Sequence, residues 1–197
     1  MQNKDIDKLI KTVSRLPGLG QRSAKRAVLY MLQNKETYLE SLISQLQTTK
    51  ETVIECGSCG NLDTCSPCSI CDDTTRRHTQ ICVIETLGDL WAMERTGAFK
   101  GVYHILGGTL SALDGVRPED LKIDSLLTKV STGSISEVII ALKATVDGQT
   151  TAHYLADKLD SFDVHVTKLA HGMPVGGELD YMDDGTITMA LNARAAL

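Results

Sequence analysis

The segment from Cys56 to Cys71 constrains this chain most. Cys56 and Cys59 form a CxxC pair, and Cys65, Cys68 and Cys71 follow at three-residue steps. The residues between them are mostly Gly, Ser, Asp and Thr, too polar to bury a core of their own. In a reducing compartment such a density of thiols points to metal ligation and away from disulfides. Thiolates are the soft ligands that suit zinc, and two CxxC turns bring four of them to the corners of a tetrahedron. Pairing Cys56 and Cys59 with Cys68 and Cys71 leaves an eight-residue loop, short but feasible for a ribbon-like finger. Cys65 and Cys68 are also a CxxC pair, so five thiols compete for four positions. A redox dithiol is the other chemistry open to CxxC, but such motifs sit at strand-to-helix turns, and no periodicity surrounds these cysteines. A closed four-thiolate site has no position for substrate, so its zinc is expected to be structural.

The chain has 197 residues, 42% of them hydrophobic, enough for one ordinary domain with small modules attached. No apolar run approaches the roughly 20 residues that cross a bilayer, and the N-terminus lacks the apolar stretch of a signal peptide. A soluble, cytoplasmic protein with no membrane role is expected. The formal net charge of -5 is unevenly spread: residues 1–35 carry +6 and the remainder -11. A basic module that binds polyanions, attached to an acidic body, would have this asymmetry; a solvated helix surface would have the charge alone.

Ile6, Leu9, Ile10, Val13 and Leu16 recur at helical spacing, as do Ala24, Ala27, Val28, Met31 and Leu32. Pro17-Gly18-Leu19-Gly20 separates the two helices, and Leu39, Leu42, Ile43 and Leu46 predict a third. Two glycines let the backbone turn tightly and approach a ligand closely. The helix that follows offers unpaired N–H groups and partial positive charge, a site for phosphate. Arg22, Lys25 and Arg26 stand within its first turn or so and can add charge-assisted contacts. Gly18, Gly20, Arg22, Lys25 and Arg26 are therefore the candidate DNA-contacting residues. The contacts read the backbone, so binding is expected to be sequence-independent and weakened by salt. The bland alternative is a helix hairpin in which glycine only makes the turn.

Past Thr79, strand and helix alternate. Ile81–Glu85, Gly101–Leu106, Glu137–Leu142 and Val164–Ala170 read as strands, and Asp89–Gly97 and Thr150–Leu159 as helices, which implies βαβ units and a largely parallel sheet. Glu85 closes a buried strand where α/β sheets place functional groups, and Asp147 follows a neighbouring strand. Paired there, the two acids could hold Mg²⁺; otherwise Asp147-Gly148 makes a turn and Glu85 pairs locally. His78, His104, His153, His165 and His171 share no site-like spacing, and Trp91 is expected in the core. No GxxxxGK[ST] loop and no GxSxG elbow occurs.

The order of these parts resembles the bacterial RecR family of recombination mediators along essentially the whole chain. The resemblance rests on Leu16–Arg26, Cys56–Arg77, Ile81–Glu85, Tyr103–Gly108, Leu113–Gly115 and Gly172–Asp180. It implies an α+β, multi-module protein: a helix-hairpin-helix over 1–54, a four-cysteine zinc finger over 55–78, a Toprim-type α/β domain over 79–174, and a Gly-rich and helical C-terminal segment over 175–197 that serves as an oligomer contact. It implies that Cys56, Cys59, Cys68 and Cys71 hold the zinc, with Cys65 as an extra. Arg22 and Arg26 fall at basic DNA-contacting positions, and Glu85 and Asp89 at acidic Toprim positions. His78, Asp147 and Asp180 depart from the pattern, the last two keeping their charge with a shorter reach. Catalytic Toprim domains carry a DxD pair, whereas Ala144-Thr145-Val146-Asp147-Gly148 offers one acid. The resemblance thus implies a non-enzymatic mediator, a ring-like homo-oligomer of tetrameric size. It would bind DNA through its hairpins and the proteins RecO and RecF through Glu85, Asp89 and Asp147. The competing expectation is a Mg²⁺-dependent phosphoryl-transfer enzyme built on the same three acids.

Overall fold

Residues 3–170 and 172–194 are described by the computed structural model, and the chain divides into two units, Met1–Val53 and Ile54–Leu197. His171 and the last three residues of the C-terminal segment lie outside the described residues. In the first unit, Asn3 caps α1 (Lys4–Val13) by accepting from the Asp5 amide at 3.0 Å. Leu16-Pro17-Gly18-Leu19 then closes a tight turn, the Leu19 amide donating to the Leu16 carbonyl at 3.1 Å. Pro17 presets the first central φ, and Gly18 supplies the positive one, +79°. α2 (Gln21–Gln33) lies against α1 and buries Ala24 and Val28. A π-helical turn at Lys35–Leu39 leads into α3 (Glu40–Thr52), and the ring of Tyr38 in that turn meets Tyr30 of α2 edge to face at 5.4 Å. The predicted third helix forms, but Ile43 and Leu46 on it stay exposed.

The second unit opens with an antiparallel ribbon of β1 (Ile54–Glu55) and β2 (Leu62–Asp63), followed by the short α4 (Ser69–Asp72). Four parallel strands follow: β3 (Arg77–Ile84), β4 (Gly101–Ile105), β5 (Glu137–Ala141) and β6 (His165–Lys168), in the order β4-β3-β5-β6. α5 (Leu87–Thr96), α6 (Ile123–Ser131) and α7 (Val146–Leu159) connect them, and α8 (Asp184–Asn192) comes last. Both faces of the sheet are covered, which explains the unbroken apolar run of β3. Ile81 and Val83 face a core with Leu126, Val138, Leu155 and Leu159, while Cys82 and Ile84 face Leu90, Tyr103 and Ile105. Each fully buried leucine there contributes about 1.5–3 kcal/mol relative to exposure.

Two sequence expectations are corrected, and one helix is added. Trp91 is 63% exposed: Leu90 takes the inward position of α5 and Trp91, one residue on, turns to solvent. α6 was not predicted, although Ile123, Leu126, Leu127 and Val130 have helical spacing. α7 begins at Val146, so Asp147 and Gly148 lie in its first turn and do not form a separate one. Thr145 caps it by accepting from the Gly148 amide at 3.2 Å, and glycine is required there because a Cβ would meet the Lys143 carbonyl oxygen at 2.1 Å.

Candidate metal centre and nucleic-acid interface

The N-terminus of α2 is bare. Gly20 is its N-cap with an ordinary φ of −75°, no side chain caps the helix, and a Cβ on Gly20 would meet nothing within 4 Å. Glycine is thus not demanded by the protein's own packing or backbone at this position. Its effect is to leave the first amides of α2 open to an incoming group. Arg22, Lys25 and Arg26 are all exposed. A groove of about 560 Å³ between α1 and α2 is lined by Arg22, Lys25 and Lys11, with Asp7, Ile10 and Gln21. The structure brings Lys11 into the set and leaves Arg26 one turn past Arg22, outside that lining. Three cations beside an uncapped helix start make an anion-binding surface.

The ligand atoms of Cys56, Cys59, Cys68 and Cys71 all lie within 4.8 Å of one another. Cys65 is exposed and outside the group. Among the described residues this is the one cluster of three or more His, Cys, Asp or Glu close enough to share a metal ion. Two backbone amides already point at sulfur: Cys68 donates to Cys56 Sγ at 3.3 Å and Asn61 to Cys59 Sγ at 3.4 Å. Cys59 and Cys68 Sγ are 3.5 Å apart. The thiols compete for their protons. Hydrogen bonding from Cys71 holds Cys59 down at about 5, and that same bond together with burial drives Cys71 far up. Four sulfurs at this spacing cannot all ionise without a cation, so the donor set fits a soft, four-coordinate metal.

The third site lies between the C-terminal ends of β3 and β5. The connection that leaves β3 runs outward to β4 and the one that leaves β5 runs outward to β6 on the other side, so the gap between β3 and β5 is where the winding reverses, the place α/β sheets use for ligands. Glu85 is buried there, and the Lys143 ammonium donates to its Oε1 at 2.9 Å, while its Oε2 is buried without a partner. The Glu85 carboxylate in turn pushes the Lys143 pKa up. Asp89 is occupied locally: its Oδ2 accepts from the Thr86 amide and hydroxyl, both at 2.8 Å, completing a capping box for α5. Asp147 is half-buried in the first turn of α7. Lys143, which no sequence pattern marks, is the residue that reaches Glu85.

Two further polar groups escaped sequence reasoning. Arg76 forks onto Glu94 at 2.9 and 2.6 Å, and the Tyr103 hydroxyl donates to Glu94 at 2.8 Å. His104, read as unremarkable, is 1% exposed and hydrogen-bonded at both ring nitrogens. These partners are far apart in sequence, so no local spacing marks them.

Three family models match parts of the chain. Residues 6–50 match the RecR helix-hairpin-helix family, residues 79–170 the Toprim domain family and residues 172–194 the RecR C-terminal family. Over 194 residues the chain is 53% identical to Recombination protein RecR of Erythrobacter litoralis and 55% to that of Novosphingobium aromaticivorans, in each case covering 98% of both chains. It is 56% identical to Recombination protein RecR of a Ruegeria species, covering 98% of this chain and 96% of the relative. No helix among the described residues is long and apolar enough to cross a membrane.

Proposed function

The chain belongs to the RecR family of recombination proteins, and from that premise we propose that it is a non-enzymatic mediator of recombinational DNA repair in the cytoplasm. Gly18, Gly20, Arg22, Lys25 and Arg26, with Lys11, hold DNA phosphates without reading sequence. The observation that carries this is the bare N-terminus of α2 beside its cations. One hairpin gives weak binding, and a ring-like homo-oligomer, a tetramer, multiplies it without new contacts. Leu29, Tyr30, Ile43 and Leu46, left exposed in the first unit, support self-association. Cys56, Cys59, Cys68 and Cys71 hold zinc; when bound, the ion cross-links a segment too polar to fold by burial. The C-terminal segment, residues 175–197, adds oligomer contacts.

The acidic face of Glu85, Asp89 and Asp147 serves RecO and RecF, which together with this protein help load recombinase on single-stranded or gapped DNA. The charges of this face do not suit catalysis. Two-metal phosphoryl transfer needs several free carboxylates around ions about 3.5–4 Å apart. Here Lys143 neutralises Glu85, and Asp89 is spent on a helix cap. The purified chain, incubated with Mg²⁺ and gapped DNA, should bind the DNA and generate no cleaved, joined or extended product. A Mg²⁺-dependent product that disappears in Glu85→Gln would overturn the reading in favour of an enzyme.

A further inference from the structure

A zinc ion held by four thiolates carries a net charge of −2, and burying it is costly unless positive charge stands nearby. The chain provides a cation from outside the finger. Lys129, on α6, directs its ammonium at the carbonyl of Ser58, inside the Cys56–Cys59 knuckle, and at Nδ1 of His104 on β4, 3.1 Å away. A cavity of about 280 Å³ has Lys129, Cys71, Ser58, His78 and Tyr103 on its walls, so the ammonium and a ligand thiol share one space.

The state of His104 follows from geometry. Its Nε2 lies 2.7 Å from the Lys122 carbonyl oxygen, which can only accept, so Nε2 carries the proton. Nδ1 faces an ammonium, which can only donate, so Nδ1 carries none. The ring is therefore neutral and fixed in one tautomer, consistent with burial, and after it Lys129, holding its pKa down at about 4. A neutral acceptor on one side and a carbonyl on the other leave the positive charge of Lys129 uncancelled. The same knuckle is tied to β4 by the Ile105 amide, which donates to the Cys59 carbonyl at 2.9 Å.

We propose that Lys129, positioned by His104, is the counter-charge of the four-thiolate centre, so that a helix of the α/β domain sets how firmly the finger keeps its metal. The inference rests on the reading that Cys56, Cys59, Cys68 and Cys71 hold zinc. Lys129 is a positioning residue here, acting on the metal through space and not as a ligand.

The test is the rate at which the full-length, zinc-loaded protein gives up zinc to a chromogenic chelator, with zinc content measured first and folding checked by circular dichroism. Residues outside the ligand shell typically change metal affinity by 10–100-fold, so Lys129→Met should release zinc roughly 10-fold faster, and Lys129→Arg should stay within about twofold of the parent. A role in packing alone predicts the reverse order, because Met keeps the length and apolar stem of Lys whereas Arg is bulkier. Equal rates for Lys129→Met and the parent would overturn the proposal. Should Lys129→Met fail to fold, His104→Phe, which removes the acceptor and leaves the charge, should still release zinc faster than the parent; an unchanged rate would refute the proposal. A parent protein that holds no zinc would instead fail the underlying metal assignment, and this inference with it.

Discussion

Nζ of Lys143 lies 2.9 Å from Oε1 of Glu85, across the gap between two parallel strand ends. The pair is unequal: the lysine side chain is 59% exposed and the glutamate side chain 12%. The cation can turn away to water, while the carboxylate is fixed by its burial at the end of β3. A basic partner group that displaced Lys143 would thus meet, at Oε1, a carboxylate that is already positioned.

A charge swap separates the two roles of this pair. Glu85→Lys alone sets two ammonium groups against each other and should lower the melting temperature. Adding Lys143→Glu should restore much of it while exchanging the positions of the two charges at equal net charge. RecO binding, followed by size-exclusion chromatography, should be lost in the single and the double variant alike. Recovery of the complex together with stability would mean that the face matters for folding and not for charge.

The two glycines of the hairpin should respond differently. Gly18→Ala forces a side chain to a φ of +79° and should cost about 1–2 kcal/mol by thermal melting. Gly20→Ala has an ordinary φ and open space, so the fold should tolerate it. Its methyl group would stand where phosphate approaches, and DNA binding by fluorescence anisotropy should weaken. Replacing Arg22 and Arg26 by Ala should weaken binding to all sequences equally and lower the salt slope by about 1 per lost cation. Unchanged binding at low salt in both sets would refute the hairpin assignment.

Cys68→Ser should release zinc and unfold the finger, whereas Cys65→Ser should retain a full metal load. A structural zinc site of this kind contributes on the order of 10–16 kcal/mol, so loss of one true ligand is severe. Equal zinc loss in the two variants, measured by atomic absorption, would contradict the observed cluster.

What was legible in the sequence was whatever local spacing encodes. The β3 run from Ile81 to Ile84 predicts a strand buried on both faces, and the Leu16–Gly20 stretch predicts a hairpin, because periodicity and turn chemistry act over a few residues. The cysteine spacing left Cys65 in contention, and the geometry of the finger removes it. Lys143, His104 and Lys129 carried no such mark. Their meaning comes from partners brought close by the sheet, 58 residues apart for Lys143 and Glu85 and 25 for Lys129 and His104. Trp91 was misplaced for a related reason: an aromatic beside Leu90 has the composition of a core, but only one of two adjacent helix positions can face inward.

Stability toward acid should pass through Glu94. The Arg76 fork, and after it the Tyr103 hydroxyl, hold its carboxyl below the ordinary range against the opposing effect of burial. A depressed carboxylate contributes stability that is fully present above its unfolded pKa, near 4.3, and is lost as pH falls through the folded value. Glu94→Gln should therefore cost about 1–3 kcal/mol at neutral pH. The gap between parent and variant should close as pH drops below roughly 4. A gap still unchanged near pH 3 in denaturant titrations would rule out this pair as the acid-sensitive element.

The hydrogen bond from the Ile105 amide to the Cys59 carbonyl reaches forward along the chain as well as across the structure. On a ribosome the cysteines emerge before β4 exists, so the knuckle they form has neither that amide nor the ammonium of Lys129 when its last thiol is made. If the four thiols hold zinc, a nascent finger that captured it early would hold it without that hydrogen bond, and without the proposed counter-charge until α6 has been synthesised. The same dependence makes the finger a poor cassette for transplantation: cut out at residues 55 and 78, it would keep its four thiols and leave behind two of the groups that hold it in place.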